Sequence, residues 1–112
     1  MPDLSYRVEM AGEVPVVVTP EDIDITNAAA FRTALLEAAG RSRTFVVDMS
    51  RTQFCDTAGI HALVAAHKQA EADGGDIRLV VTSAPVLRIF AITGFDQVIS
   101  SFSRLDQALA TP

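Results

Sequence analysis

Between Thr44 and Asp73 the chain passes from the pattern of a buried strand to that of a long helix, with only a few residues between them. Phe45, Val46 and Val47 lead into Asp48 and Met49, an apolar run rich in β-branched and aromatic residues. Such a run suits a strand covered on both faces, as in parallel sheets. From there on Ile60, Leu63 and Val64 recur at helical spacing, and Gly74-Gly75 supplies the stop. Asp56-Thr57-Ala58-Gly59 lies between: Asp56 or Thr57 can cap the first turn, and Gly59 keeps that turn bare. A hydroxyl is thereby presented at a helix N-terminus beside a carboxylate.

The first turn of a helix has unpaired N–H groups and the positive end of the macrodipole, so it tolerates an anion. A phosphate on Thr57 would fit there without unfolding the domain, and would add about −1.5 to −2 charges next to Asp56. By spacing alone, Thr57 reads first as a helix cap.

The rest of the chain supplies further units of the same kind. Leu4, Tyr6, Val8 and Met10 alternate with Ser5, Arg7 and Glu9, the period of a half-exposed edge strand. Ala11-Gly12-Glu13 turns it into an antiparallel partner from Val14 to Val18. An acidic connection, Thr19 to Thr26, precedes a helix capped by Thr26 or Asn27, buried through Phe31, Leu35 and Ala38, and ended by Gly40. After Gly74-Gly75-Asp76 comes a strand from Ile77 to Val81, then a helix with Ser83 as cap, Pro85 in its first turn and Gly94 at its end. Val98 and Ile99 form a short last strand, and Ser103 to Asp106 resembles a capping box opening a last helix. The order predicts one α/β domain over 1–112: a mostly parallel sheet of four to five strands, an N-terminal antiparallel hairpin and about four helices. Short strand–helix–strand links imply right-handed crossovers, and where strand and helix units stack in sequence successive crossovers place most helices on one face.

A chain of 112 residues can bury about two thirds of its unfolded surface, and 49% hydrophobic residues suffice for a core. The net charge of −5, without a Lys/Arg cluster, argues against nucleic acid as partner. No apolar run reaches the roughly 18 residues of a membrane span, and Met1-Pro2-Asp3 does not open like a signal peptide. With a single cysteine, Cys55, no internal disulfide forms, so a reducing cytoplasm is expected and Cys55 reads as a small buried hydrophobe.

Chemistry has few candidates. His61 and His67, six apart on one helix, face different directions and cannot share a metal, and His67 falls on the core stripe. No dinucleotide, ATP, zinc or nucleophile-elbow motif is present, so no cofactor, no metal and no catalysis are expected. Glu21, Asp22 and Asp24 follow the second strand and Asp56 the third, so they either converge at the C-terminal edge of the sheet or form a solvated acidic loop. Opposite Ile60, Leu63 and Val64, the second helix carries Ala58, His61, Ala62, Ala65, Gln69 and Ala72. Such a flat face docks at little cost in side-chain entropy, although alanine is also simply the best helix former.

Three segments resemble the STAS domain of bacterial anti-sigma factor antagonists. Asp48-Met49-Ser50 with Phe54-Cys55-Asp56-Thr57-Ala58-Gly59-Ile60 is similar to the family's D-x-S and F-x-D-S-x-G-[LI] signature. Glu21-Asp22-Ile23-Asp24 is similar to its G-E-[LI]-D loop, and Ala91 to Phe95 to its hydrophobic-x-x-[ST]-G-[LF] segment. The resemblance implies phosphorylation of Thr57 by an anti-sigma factor that is itself a serine/threonine kinase. It also implies that the unphosphorylated form binds that factor and frees sigma, and that a phosphatase reverses the switch. Asp24 and Asp56 would flank the acceptor, and Ala58, Gly59, Ile60, His61, Ala62 and Ala65 would contribute to the docking face. Two features depart from the family pattern: threonine stands at Thr57 where serine is usual, as in some stress-signalling relatives, and Pro20-Glu21 replaces a hydrophobic or small residue followed by glycine. A second implication is a structural STAS subunit, for instance of a lipid-transport ATPase, with Thr57 in a constitutive interface.

Overall fold

A computed structural model describes residues 6–110. Strands β1 (Arg7–Ala11) and β2 (Val14–Val18) form the expected antiparallel hairpin. Gly12, at φ 64, takes the left-handed first position of its two-residue turn, where a β-carbon would be strained. Leu4 and Ser5, read as the start of this strand, lie outside the described residues. Three further strands, β4 (Thr44–Met49), β6 (Asp76–Val81) and β7 (Ser101–Phe102), continue the sheet in parallel in the order β1-β2-β4-β6-β7. Helices α1 (Ala28–Arg41), α2 (Thr57–Ala72), α3 (Ala84–Thr93) and α4 (Leu105–Ala110) complete the α/β domain.

The period of two along the strands sorts their side chains into two clusters. Val17, Phe45, Val47, Met49, Ile77, Leu79 and Val81 face α1, α2 and α3, joined there by Phe31, Leu35, Leu63, Val86 and Phe90. Each fully buried Leu or Phe of this layer contributes about 1.5–3 kcal/mol. Val16, Val18, Val46 and Val80 face the other way, under Ala108 of α4. Three helices therefore share one face, and both faces of β2, β4 and β6 are covered, which explains their mostly apolar runs, interrupted by Asp48 in β4 and Arg78 in β6.

Three local expectations are corrected and one element is added. Gly40 does not end α1; the helix runs through it to Arg41, because nothing requires a left-handed residue until the extended Ser42. Val98–Ile99 is not a strand: a 3-10 turn (Phe95–Gln97) drops Phe95 and Ile99 into the core, and pairing with β6 begins at Ser101. Ser83 stands at the N-cap of α3, but its hydroxyl makes no capping bond. Within the acidic connection after β2, β3 (Asp22–Ile23) pairs in parallel with β5 (Phe54–Cys55) as a separate ribbon.

Candidate functional site

That ribbon builds the site. The loops leaving β2 and β4 are zipped together by N–H donors of Gln53 and Phe54 to the Glu21 carbonyl, at 2.7 and 3.2 Å, and by Asp56 N–H to the Ile23 carbonyl at 3.0 Å. Beneath them Thr52 donates to the Pro20 carbonyl at 2.6 Å, and the buried hydroxyls of Thr19 and Thr52 lie 2.6 Å apart. Register then carries Asp24 past Ile23 as Asp56 passes Cys55, so the two carboxylates leave the ribbon from adjacent strands.

Both carboxylates serve the backbone. Asp56 is the N-cap of α2 and accepts from Ala58 N–H at 2.9 Å and Gly59 N–H at 3.4 Å, which resolves the cap in favour of Asp56 over Thr57. Asp24 accepts from the Thr26 hydroxyl and from Thr26 N–H at 2.9 Å, and these bonds hold its carboxyl below the usual range. Asn27 ties this loop to the hairpin: its amide donates to the Asp22 carbonyl at 2.8 Å, and its oxygen accepts from Asp24 N–H at 3.1 Å and from the Tyr6 hydroxyl at 3.0 Å. In the Asp48-Met49-Ser50 segment, Asp48 accepts from Ser50 N–H at 3.0 Å and closes the turn after β4.

Thr57 is the first residue of α2 and is exposed. Of the helix residues grouped with it, His61 is exposed and Ala58 and Ala65 are partly exposed, whereas Gly59, Ile60 and Ala62 are buried. The reading of Ala62 as part of a face turned away from the core is corrected, because α1 packs against α2 there. Ala58 and His61 instead line a shallow depression of about 250 Å3 shared with Ala28, Ala29 and Arg32 at the start of α1. His67, on the same helix, is mostly shielded and lies 3.7 Å from Glu71 one turn on. Among the described residues no group of three His, Cys, Asp or Glu side chains is placed to hold a metal, and no helix is long and apolar enough to cross a membrane.

Two apolar side chains at the rim went unassigned in the sequence. Ile25, 78% exposed, follows Asp24, and Phe54, 48% exposed, precedes Cys55. The alternation of Phe54 out, Cys55 in and Asp56 out is the available signal, but a two-residue strand is too short for periodicity to show it.

Cys55 points inward against α2. Burial, with a smaller contribution from the Asp56 charge, pushes its thiol up from 9.0 to about 12. The neutral thiol is the form the fold favours, so this contribution to stability is whole below pH 9.0 and is lost as pH rises toward about 12. Native protein at pH 8 should resist iodoacetamide and react fully in denaturant; rapid native labelling at Cys55 would contradict the buried position.

This is an α/β module whose distinctive groups gather on a loop rim above the C-terminal ends of parallel strands. The chain belongs to the STAS-domain family, whose model matches residues 5–108. A comparison with curated proteins finds no match. Among solved structures, an anti-sigma factor antagonist from Mycobacterium paratuberculosis is similar at 27% identity and a TM-score of 0.83, over 93% of this chain and 89% of that one. The Bacillus cell fate determinant SpoIIAA in its phosphorylated form shares the fold at 20% identity and a TM-score of 0.72, over 93% and 96% of the two chains. The murine anion transporter Slc26a9 is 25% identical with a TM-score of 0.72, over 90% of this chain but 18% of the transporter.

Proposed function

We propose that this protein is a cytoplasmic anti-sigma factor antagonist, switched by phosphorylation of Thr57. The observation that carries the reading is an exposed hydroxyl at the first position of α2, inside the family segment Asp56 to Ile60. The similar Mycobacterium protein is itself an anti-sigma factor antagonist. The unphosphorylated protein binds an anti-sigma factor with serine/threonine kinase activity and so releases sigma. The docking surface is Asp24, Asp56, Thr57, Ala58, His61 and Ala65, widened by the exposed Ile25 and Phe54, with Gly59, Ile60 and Ala62 supporting it from beneath.

The geometry supplies a reason for the switch. Asp56 already accepts from the N–H groups of Ala58 and Gly59, so a phosphate on Thr57 meets a helix end whose free donors are partly used. Its charge stays at the surface beside Asp56, where docking would impose repulsion and a desolvation cost. A phosphatase restores the binding form.

Incubation with candidate anti-sigma kinases and ATP should label Thr57, and Thr57→Ala should abolish the label while retaining binding. Label confined to other residues would overturn the reading. A constitutive subunit of a larger assembly, such as a lipid-transport ATPase, is the second reading, favoured by the STAS-like region within Slc26a9. Phosphatase-insensitive co-purification with a membrane transporter would select it.

A further inference from the structure

The outer edge of β1 carries a self-complementary pattern. In a two-residue hairpin the residues flanking the turn, here Ala11 and Val14, exchange hydrogen bonds, and such pairs then alternate with unbonded ones. Glu9 with Val16 and Arg7 with Val18 are therefore bonded pairs, and Val8 with Val17 and Met10 with Pro15 are not. Pro15 confirms the phase, since it has no N–H to give. The backbone groups of Val8 and Met10 consequently point away from β2, and among the described residues no strand lies beyond β1 in the sheet.

Two copies meeting edge to edge in antiparallel fashion about a twofold axis keep this bonding phase when the axis passes through a residue. An axis at Arg7 sets Arg7 against itself, and one at Glu9 sets Glu9 against itself. With the axis at Met10, Glu9 faces Ala11. Centred on Val8, the two Val8 residues exchange both hydrogen bonds, Met10 faces Tyr6, and each Arg7 faces Glu9 of the other copy. Those two charge pairs fall at unbonded positions, where side chains approach most closely. Arg7 and Glu9 are more than half exposed and pair with each other at 3.5 Å on one face of the strand, a solvent-exposed ion pair that each can exchange for the opposite charge of a neighbour. Met10 is also exposed, and covering it adds apolar burial to the seam.

We propose that a second copy of this chain pairs with β1 through the Val8-centred register, joining the two sheets into one ten-stranded sheet with a twofold axis. The assignment rests on edge geometry and charge order, and is independent of any role for Thr57.

Sedimentation equilibrium over a series from roughly 1 µM to 1 mM, a span suited to a small interface, provides the test. The wild-type chain should pass from monomer to twice the monomer mass. Glu9→Arg and Arg7→Glu should each weaken association at least tenfold, because like charges then face across the seam. An equal mixture of the two variants should associate as well as wild type, since the heterodimer opposes unlike charges again. Met10→Pro, which removes an outward N–H and no β1–β2 bond, should give a folded monomer. A wild type that stays monomeric throughout would overturn the proposal, as would variants that dimerise like wild type or a mixture that fails to recover.

Discussion

Thr57→Glu should weaken binding to the cognate anti-sigma factor by about 100-fold or more, roughly 2.7 kcal/mol, while Thr57→Ala stays within a few-fold of wild type. The contrast follows from position. Thr57 is exposed on the first turn of α2, so neither substitution opens the core or removes the Asp56 cap. What the glutamate adds is a second carboxylate beside Asp56 in a surface that must shed water when the partner docks. Raising the salt from 0.05 to 0.5 M should recover only part of the loss, because screening relieves repulsion but not desolvation. Calorimetric titration of the three proteins checks this directly, and equal affinities for all three would remove Thr57 from the interface.

Gly75→Ala should be the most damaging alanine substitution among the glycines of the scaffold. A β-carbon at Gly75 would lie 2.0 Å from the Arg43 carbonyl oxygen, which accepts from Asp76 N–H at 3.0 Å where β4 and β6 begin to pair. The obstacle is backbone and cannot step aside, so a loss of about 3 kcal/mol or more is expected, with the melting temperature lowered by about 10 °C or more. Gly59→Ala is milder. Its β-carbon would meet Cys55 Sγ at 2.6 Å and Ile23 Cγ2 at 2.7 Å, buried atoms one bond from their own β-carbons, so the ribbon that carries them has to give, while alanine returns about 1 kcal/mol of helix propensity. A net cost of about 1–2 kcal/mol should come with movement of the β3–β5 ribbon, visible as altered amide shifts from Ile23 to Thr57. Urea unfolding of both variants measures the order, and a Gly75→Ala protein as stable as wild type would refute the close approach.

Most of the scaffold was legible because its elements are long enough to carry a pattern. Phe31, Leu35 and Ala38 on α1 recur at helical spacing, and the runs at Phe45 to Met49 and Ile77 to Val81 are short, mostly apolar and rich in β-branched residues, as parallel strands covered on both faces require. The rim was harder to read. β3 and β5 have two residues each, too few for alternation, and they exist because the loops above β2 and β4 are held side by side. Alanine misled on α2, since Ala62 and Ala65 look alike in sequence while one packs under α1 and the other is partly open to water. Asn27 read as a cap and is instead a clasp, because its amide reaches back to Asp22 and Asp24 in preference to its own helix. Side-chain choices of that kind depend on neighbours that spacing does not reveal.

Among the described residues, the short helix α4 is the helix on the far side of the sheet, with Ala108 against Val16, Val18, Val46 and Val80 and its carbonyl accepting from Arg78 at 3.0 Å. Six residues are too few to stay helical in water by themselves, so this turn and a half is wound by the surface it shelters. Peeling it off would bare a strip of valines on the back of an otherwise finished sheet. The two faces of the sheet are thus held unequally: three interleaved helices cover the front, while among the described residues the back relies on α4 as its shutter.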